Sequence, residues 1–291
     1  MGKRIFLFVA TNVAIIVTLS IVLRLLGVAG YIHPGGGLNF FALAVVCTVW
    51  GMGGSYISLL MSRWVAKRAV GVELINGQTG NAELDWLFNT VGNLTRQANL
   101  PMPEVGTYES EEVNAFATGP SKTRSLVAVS SGLLRTMDHA QIEGVLGHEV
   151  THIANGDMVT MTLIQGVVNA FAMFFARIVA FFIRQAMDSR MANMVAFLVQ
   201  IVLEIGLSFL GLLIIRWFSR QREFRADAGG AVLAGRENMI GALRRLQDNQ
   251  KLVDNTHPAL ANFKIAGGPG LLLASHPPLE VRIAALEAGA R

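Results

Sequence analysis

The chain has 291 residues, of which 52% are hydrophobic and only 15% charged, and its mean hydropathy is +0.47. Globular chains carry about 25% charged residues, so a water-soluble protein is excluded, and so much apolar surface excludes a disordered one. The formal charge of +4 collects beside the apolar runs, as the positive-inside rule expects of a membrane protein and not of a nucleic-acid binder, while the one cysteine, Cys47, has no internal disulfide partner.

The first apolar run, Ile5 to Leu23, follows Lys3 and Arg4. It is longer than a signal-peptide core and reads as an uncleaved signal anchor; Gly27-Val28-Ala29 keeps a cleaved signal as the competing reading. The second run, Leu38 to Met61, carries no charge and has small residues at four-residue spacing, Gly51 with Ser55 and Gly54 with Ser58. That spacing permits close helix contact. No Lys or Arg occurs between Leu25 and Ser62, whereas Lys3, Arg4, Arg63, Lys67 and Arg68 flank the pair, so both ends of this hairpin are expected in the cytoplasm.

Between the hydrophobic pairs, Leu84, Leu87, Phe88, Val91 and Leu94 recur at helical spacing, in a helix that should stop before Pro101. Strand-like stretches follow at Glu104 to Tyr108, Asn114 to Thr118 and Leu126 to Ser130. A further helix is expected from Asp138, with Gln141 as its capping partner, to Asn155-Gly156. Two more apolar runs, Met158 to Ile183 and Met194 to Phe218, are long enough to span a bilayer. They carry Arg177 and Glu204, at depths that long side chains can bridge, so an ion pair between them is expected; the alternative is that Arg177 reaches the interface alone. A hairpin that only partly enters the bilayer competes with full spanning, but Arg216, Arg220, Arg222 and Arg225 mark a basic cytoplasmic exit. Helices are expected over Asn238 to Asp248 and Leu279 to Leu286, separated by a loose loop around Gly267 to Gly270.

The organisation is therefore mainly α with a small β-sheet and about four transmembrane helices. Residues 1–61 form a hydrophobic hairpin, 62–157 the first part of a cytoplasmic domain, 158–218 a second hydrophobic hairpin and 219–291 the domain's second part.

The string Gly147-His148-Glu149-Val150-Thr151-His152 is an H-E-x-x-H on the expected helix. Imidazoles at i and i+4 leave one face a turn apart, so His148 and His152 can share one zinc while Glu149 stands beside the open coordination position as catalytic base. A catalytic zinc needs a third protein ligand. The metzincin extension is excluded, because Asn155 and Met158 stand where it requires glycine and histidine. The other solution is a distant Glu followed four residues later by an acid that orients a histidine. Glu223 and Asp227 have that spacing, though Glu223 also reads as a charge offsetting Arg222 and Arg225 in a juxtamembrane turn.

These motifs, with Asn114-Ala115-Phe116-Ala117-Thr118-Gly119 and Ser275-His276-Pro277-Pro278 followed by Arg282, resemble the HtpX-type membrane zinc endopeptidases, relatives of the prenyl-protein CAAX metalloproteases, along nearly the whole chain. The resemblance implies a gluzincin-type protease domain interrupted by and anchored through hydrophobic hairpins. It implies one Zn2+ per chain held by His148, His152 and Glu223, with Glu149 as the catalytic carboxylate and Asp227 supporting a ligand histidine. It also implies a multi-pass protein of the bacterial inner membrane whose protease domain faces the cytoplasm and degrades misfolded or damaged membrane proteins. In relatives the peptide lies along an edge strand, which Asn114 and Ala115 match; an ordinary edge strand is the plain alternative. His276 and Arg282 are candidates for binding substrate or the transition state, against a role in starting the last helix. His33, His139 and His257 lack partners at ligand spacing. Two competing functions are an intramembrane site-2-type metalloprotease, which the polar Gln141, Glu143, Asn155 and Asp157 disfavour, and a membrane scaffold without catalysis.

Overall fold

A computed structural model describes residues 17–27, 30–32, 36–187, 191–256 and 276–289. Its helices, in chain order, are α1 (residues 17–25), α2 (Phe40–Ala66), α3 (Ala82–Gln97), α4 (Ser131–Thr136), α5 (His139–Asn155), α6 (Asp157–Ala186), α7 (Ala192–Ala234), α8 (Arg236–Thr256) and α9 (Leu279–Glu287). The strands are β1 (Glu73–Ile75), β2 (Glu104–Tyr108), β3 (Ala115–Ser121) and β4 (Arg124–Ser130). Two compact units form, one from Met1–Leu59 with Thr160–Ile215 and the other from Leu60–Val159 with Arg216–Arg291.

Within the first unit the helices pack through small residues. A Cβ on Gly51 would meet the backbone of Ala170, and one on Gly166 would come within 2.9 Å of the Met52 Cα, so these glycines set how closely α2 and α6 approach. Arg177 of α6 donates to Glu204 Oε1 of α7 at 3.2 Å and to its own Met173 carbonyl, and Gln200 donates to the same carboxylate oxygen at 3.1 Å. The ion pair expected from sequence is present. Among the described residues three helices are long and apolar enough to cross a membrane: α2 continued through Gly71, α6 and α7. The expected first crossing starts outside the described residues, and only its end is seen, as α1.

In the second unit a four-stranded sheet has the order β1-β2-β4-β3. β2 and β4 are parallel, and the two outer pairings are antiparallel, leaving β3 at an edge. α3 is capped by Asn81, whose side chain accepts from the Glu83 and Leu84 amides, and its Leu87, Val91 and Leu94 are fully buried. They meet Val105, Val127 and Val129 of the sheet and Ile142, Leu146, Val150 and Ile153 of α5 in one core. A smaller cluster joins Met239, Ile240 and Leu243 of α8 to Ile283 and Leu286 of α9. β1, three residues long, and the six-residue α4 are elements that the apolar periodicity does not announce, because neither is long enough to show a period. α7 does not stop at the end of its apolar run. Nothing from Ser219 to Ala228 breaks a helix, so the same helix carries Glu223 and Asp227.

Candidate metal centre

α5 has the start and end its sequence calls for. Asp138 accepts from the Gln141 amide at 2.8 Å, Gln141 returns a bond to the Asp138 amide, and Gly156 ends the helix in the left-handed region at φ 69°. A side chain at Gly156 would meet nothing within 4 Å, so glycine is needed there for its backbone angle alone. The sharp turn lets α6 begin at once with Asp157, whose carboxylate accepts from His152 Nδ1 at 2.6 Å. On the other flank, a Cβ on Gly230 of α7 would lie 2.9 Å from the His148 amide nitrogen. Glycine at that position therefore brings α7 against the backbone of α5, and Glu223, two turns earlier on α7, comes opposite the histidines.

His148, His152 and Glu223 are each at least nine-tenths buried, and their ligand atoms lie within 4.8 Å of one another. The two Nε2 atoms are 3.0 Å apart, and each is 3.5 Å from a different Glu223 oxygen. Three ligands at about 2.0 to 2.1 Å from a tetrahedral zinc would be separated by about 3.3 Å. The orientation of the rings agrees with a cation. Carboxylates only accept, so Asp227 Oδ1 at 2.9 Å from His148 Nδ1 and Asp157 at His152 Nδ1 keep the proton of each neutral ring on Nδ1. Both Nε2 lone pairs then face each other, and Glu223 Oε1 beside them is buried with no hydrogen-bond partner. A metal resolves all three groups. Without one, the cluster keeps a proton: burial disfavours the charged His148 ring, but hydrogen bonds to Asp227 and Glu223 outweigh it and push its pKa up to about 9.

Arg282 of α9 is buried and binds Asp227 in a fork, Nε to Oδ2 at 2.7 Å and Nη2 to Oδ1 at 2.6 Å. It reaches the cluster through Asp227, with Nη1 3.7 Å from Glu223 Oε2. His276 is more than half exposed, and its Nδ1 lies 2.8 Å from that same oxygen. Glu149 is partly exposed, and among the described residues its carboxylate has no hydrogen-bond partner, which leaves it available to solvent or substrate.

Asn114 and Ala115 lie where β3 begins. Asn114 exchanges bonds with Ser130, its carbonyl accepting from the Ser130 amide at 2.9 Å and its amide donating to the Ser130 hydroxyl at 3.1 Å. By the alternation of an antiparallel ladder, the backbone groups of Ala115 and Ala117 then point to the open side of the sheet. That hydroxyl also donates to the Glu112 carbonyl and accepts from the Leu133 amide, fixing the edge strand to the start of α4.

Asp157 escaped the sequence reading. Its signal was a carboxylate directly after the glycine that ends the motif helix, a position that a one-residue turn aims back at the last histidine. His139 stacks on Trp86 with centroids 3.8 Å apart, away from the cluster; His33 and His257 lie outside the described residues, as do Ser275 and the Gly267 to Gly270 loop.

The family model for peptidase family M48 matches residues 81–290. The chain is 51% identical to a protein named Protease HtpX homolog from Bacillus licheniformis, over 99% of this chain and 100% of that one. It is 52% identical to Protease HtpX from Thioalkalivibrio sulfidiphilus, over 98% of this chain and 99% of that one. In fold it is similar to the crystal structure of Ste24p from S. mikatae, with a TM-score of 0.65 at 17% identity, covering 98% of this chain but only 64% of that one. Agreement from end to end with relatives half identical, and a family match that contains every residue of the cluster, make this chain a member of peptidase family M48 and thereby a membrane-bound zinc metalloprotease.

Proposed function

We propose that the chain is an endopeptidase whose single zinc is held by His148, His152 and Glu223, and that it cuts unfolded segments of membrane proteins at the cytoplasmic face. The observation that carries the metal assignment is the meeting of two Nε2 lone pairs with Glu223 Oε1, a buried oxygen that accepts no hydrogen bond and, among the described residues, has only the Arg222 Nε at 3.6 Å as a cationic neighbour outside the cluster. Bound zinc supplies a Lewis acid that polarises the scissile carbonyl and acidifies water at neutral pH. Glu149 takes a proton from the attacking water onto its carboxylate and delivers it to the nitrogen of the leaving amine. Asp157 and Asp227 hold the Nδ1 protons, so the lone pairs of His148 and His152 stay on Nε2. Arg282 gives two N–H groups to Asp227 and so positions that carboxylate, while its Nη1 faces Glu223.

Substrate choice follows from the edge strand. Ala115 and Ala117 offer backbone groups to a peptide that lies extended beside β3, and only a segment without its own secondary structure has matching groups free. The small side chains there leave room for varied residues. Basic residues at Arg63, Lys67, Arg68 and from Arg216 to Arg225, against none between Leu25 and Ser62, support a cytoplasmic orientation. An intramembrane protease would need its motif inside a span, and α5 is not among the three helices apolar enough for one.

The test compares zinc content and casein cleavage in purified wild type, Glu149→Gln, Glu223→Ala and Glu204→Ala. Glu149→Gln should keep stoichiometric zinc and lose cleavage by at least about 100-fold, since an amide cannot act as the base. Glu223→Ala should lose zinc and activity together. Zinc at wild-type affinity in Glu223→Ala, with loss in Glu204→Ala, would remove this site.

A further inference from the structure

His148 has two sides. Its Nε2 faces His152 and Glu223, and its Nδ1 faces Asp227. Beyond Asp227, on the Nδ1 side, lies a cavity of about 470 Å³ that has Asp227 and Arg282 in its wall and is lined by none of His148, Glu149, His152, Glu223 or the β3 residues. It is therefore separate from the path of a peptide along the edge strand. A volume of this size is typical of a small-molecule site, about 300 to 1,000 Å³.

The remaining wall is divided by chemistry. Trp217, Phe218, Phe224 and Leu286 make an apolar side, with the Trp217 and Phe218 rings edge to face at 4.8 Å. Gln221 and Arg225 make a polar one. The charge of Arg282 is already matched by Asp227, whereas Arg225 is exposed and has no carboxylate within ion-pair distance among the described residues. An occupant must therefore be anionic at one end and apolar at the other. Its source follows from the helix that carries the cavity: the most apolar stretch of α7 is only 6% buried, and Trp217 and Phe218 end that run, where aromatic residues meet lipid headgroups.

We infer that this cavity binds an anionic phospholipid, its phosphate on Arg225 and the first part of its acyl chain against Trp217 and Phe224, and that the lipid steadies the Asp227–Arg282 pair behind His148. A bilayer rich in anionic lipid thus tightens the metal centre. Only this coupling to the metal rests on the proposed zinc site; lipid binding itself does not.

The full chain is reconstituted in phosphatidylcholine nanodiscs containing increasing amounts of phosphatidylglycerol, with either lipid brominated on its acyl chain. The Trp217 signal is taken as the fluorescence lost in Trp217→Phe. Brominated phosphatidylglycerol should quench it at a several-fold lower mole fraction than brominated phosphatidylcholine. Arg225→Ala should abolish that preference, Arg225→Lys should largely restore it, and Arg220→Ala, outside the cavity, should retain it. Millimolar inorganic phosphate should not compete. Equal quenching by both lipids overturns the site, as does an equal loss of preference in Arg220→Ala, which would mean a diffuse basic belt; competition by phosphate overturns the lipid as its ligand. Phosphatidylglycerol should also slow zinc loss to a chelator several-fold in wild type and leave Arg225→Ala unchanged. A preserved lipid preference with unchanged zinc loss overturns the coupling to His148, and a chain that never holds zinc overturns the metal reading instead.

Discussion

Each histidine of the cluster has its own carboxylate, and the two carboxylates are held differently. Asp227 is braced by the Arg282 fork, while Asp157 depends on the turn at Gly156 that aims it at His152. Asp157→Ala should weaken zinc about 10 to 100-fold, the usual effect of losing a partner behind a ligand histidine, and Asp157→Asn should lose less because its carbonyl oxygen still accepts from Nδ1. Competition with a fluorescent chelator measures this; unchanged affinity in Asp157→Ala would make the contact incidental. The raised His148 pKa gives a pH signature. A histidine whose folded pKa lies above its ordinary 6.5 adds stability that is complete below 6.5 and is lost as pH rises through about 9. Metal-free protein should therefore melt a few °C lower at pH 9 than at pH 6.5, by thermal scanning, whereas zinc-loaded protein should show no such fall, because the metal takes the proton's place. A metal-free melting temperature that is level across this window would show that His148 holds no extra proton.

At the scale of elements, legibility followed length and local chemistry. α5 was readable at both ends because a capping box and a left-handed glycine act within four residues of the chain they shape. The last helix was likewise marked by its neighbour, Pro278. β1 was not, since three residues with one buried side chain carry no pattern and its pairing with β2 is a tertiary fact. The approach of α7 to α5 at Gly230 was hidden for the same reason: a glycine inside a helix says that something comes near without saying what. The pairing of α6 with α7 is open to a double-mutant cycle. Removing either Arg177 or Glu204 leaves the other charge without its partner in apolar surroundings, so Arg177→Ala and Glu204→Ala should each destabilise more than their shares of the double variant, with a coupling on the order of 1 kcal/mol in detergent melts. Additive losses would show that the two side chains act independently.

Across the whole molecule, composition alone pointed to a membrane, and the spacing of two short motifs singled out His148, His152 and Glu223, whose ligand atoms the fold brings within 4.8 Å of one another. Sequence offered Asp227 as the partner of a ligand histidine but not which one, and it gave no sign of Asp157: the first depends on how α7 lies against α5 and the second on how α6 leaves α5. The donors also have an order in time. His148 and His152 leave the ribosome some seventy residues before Glu223, and the second apolar pair lies between them. A chain ending at residue 222 should bind zinc at least about 100-fold more weakly than the full chain, in the same chelator competition, and should not cleave casein. Wild-type zinc affinity in that truncation would free the site from its third donor. On the proposed ligand set, a nascent chain stays without proteolytic activity until it is anchored, because Glu223 is translated only after the segments that tether it.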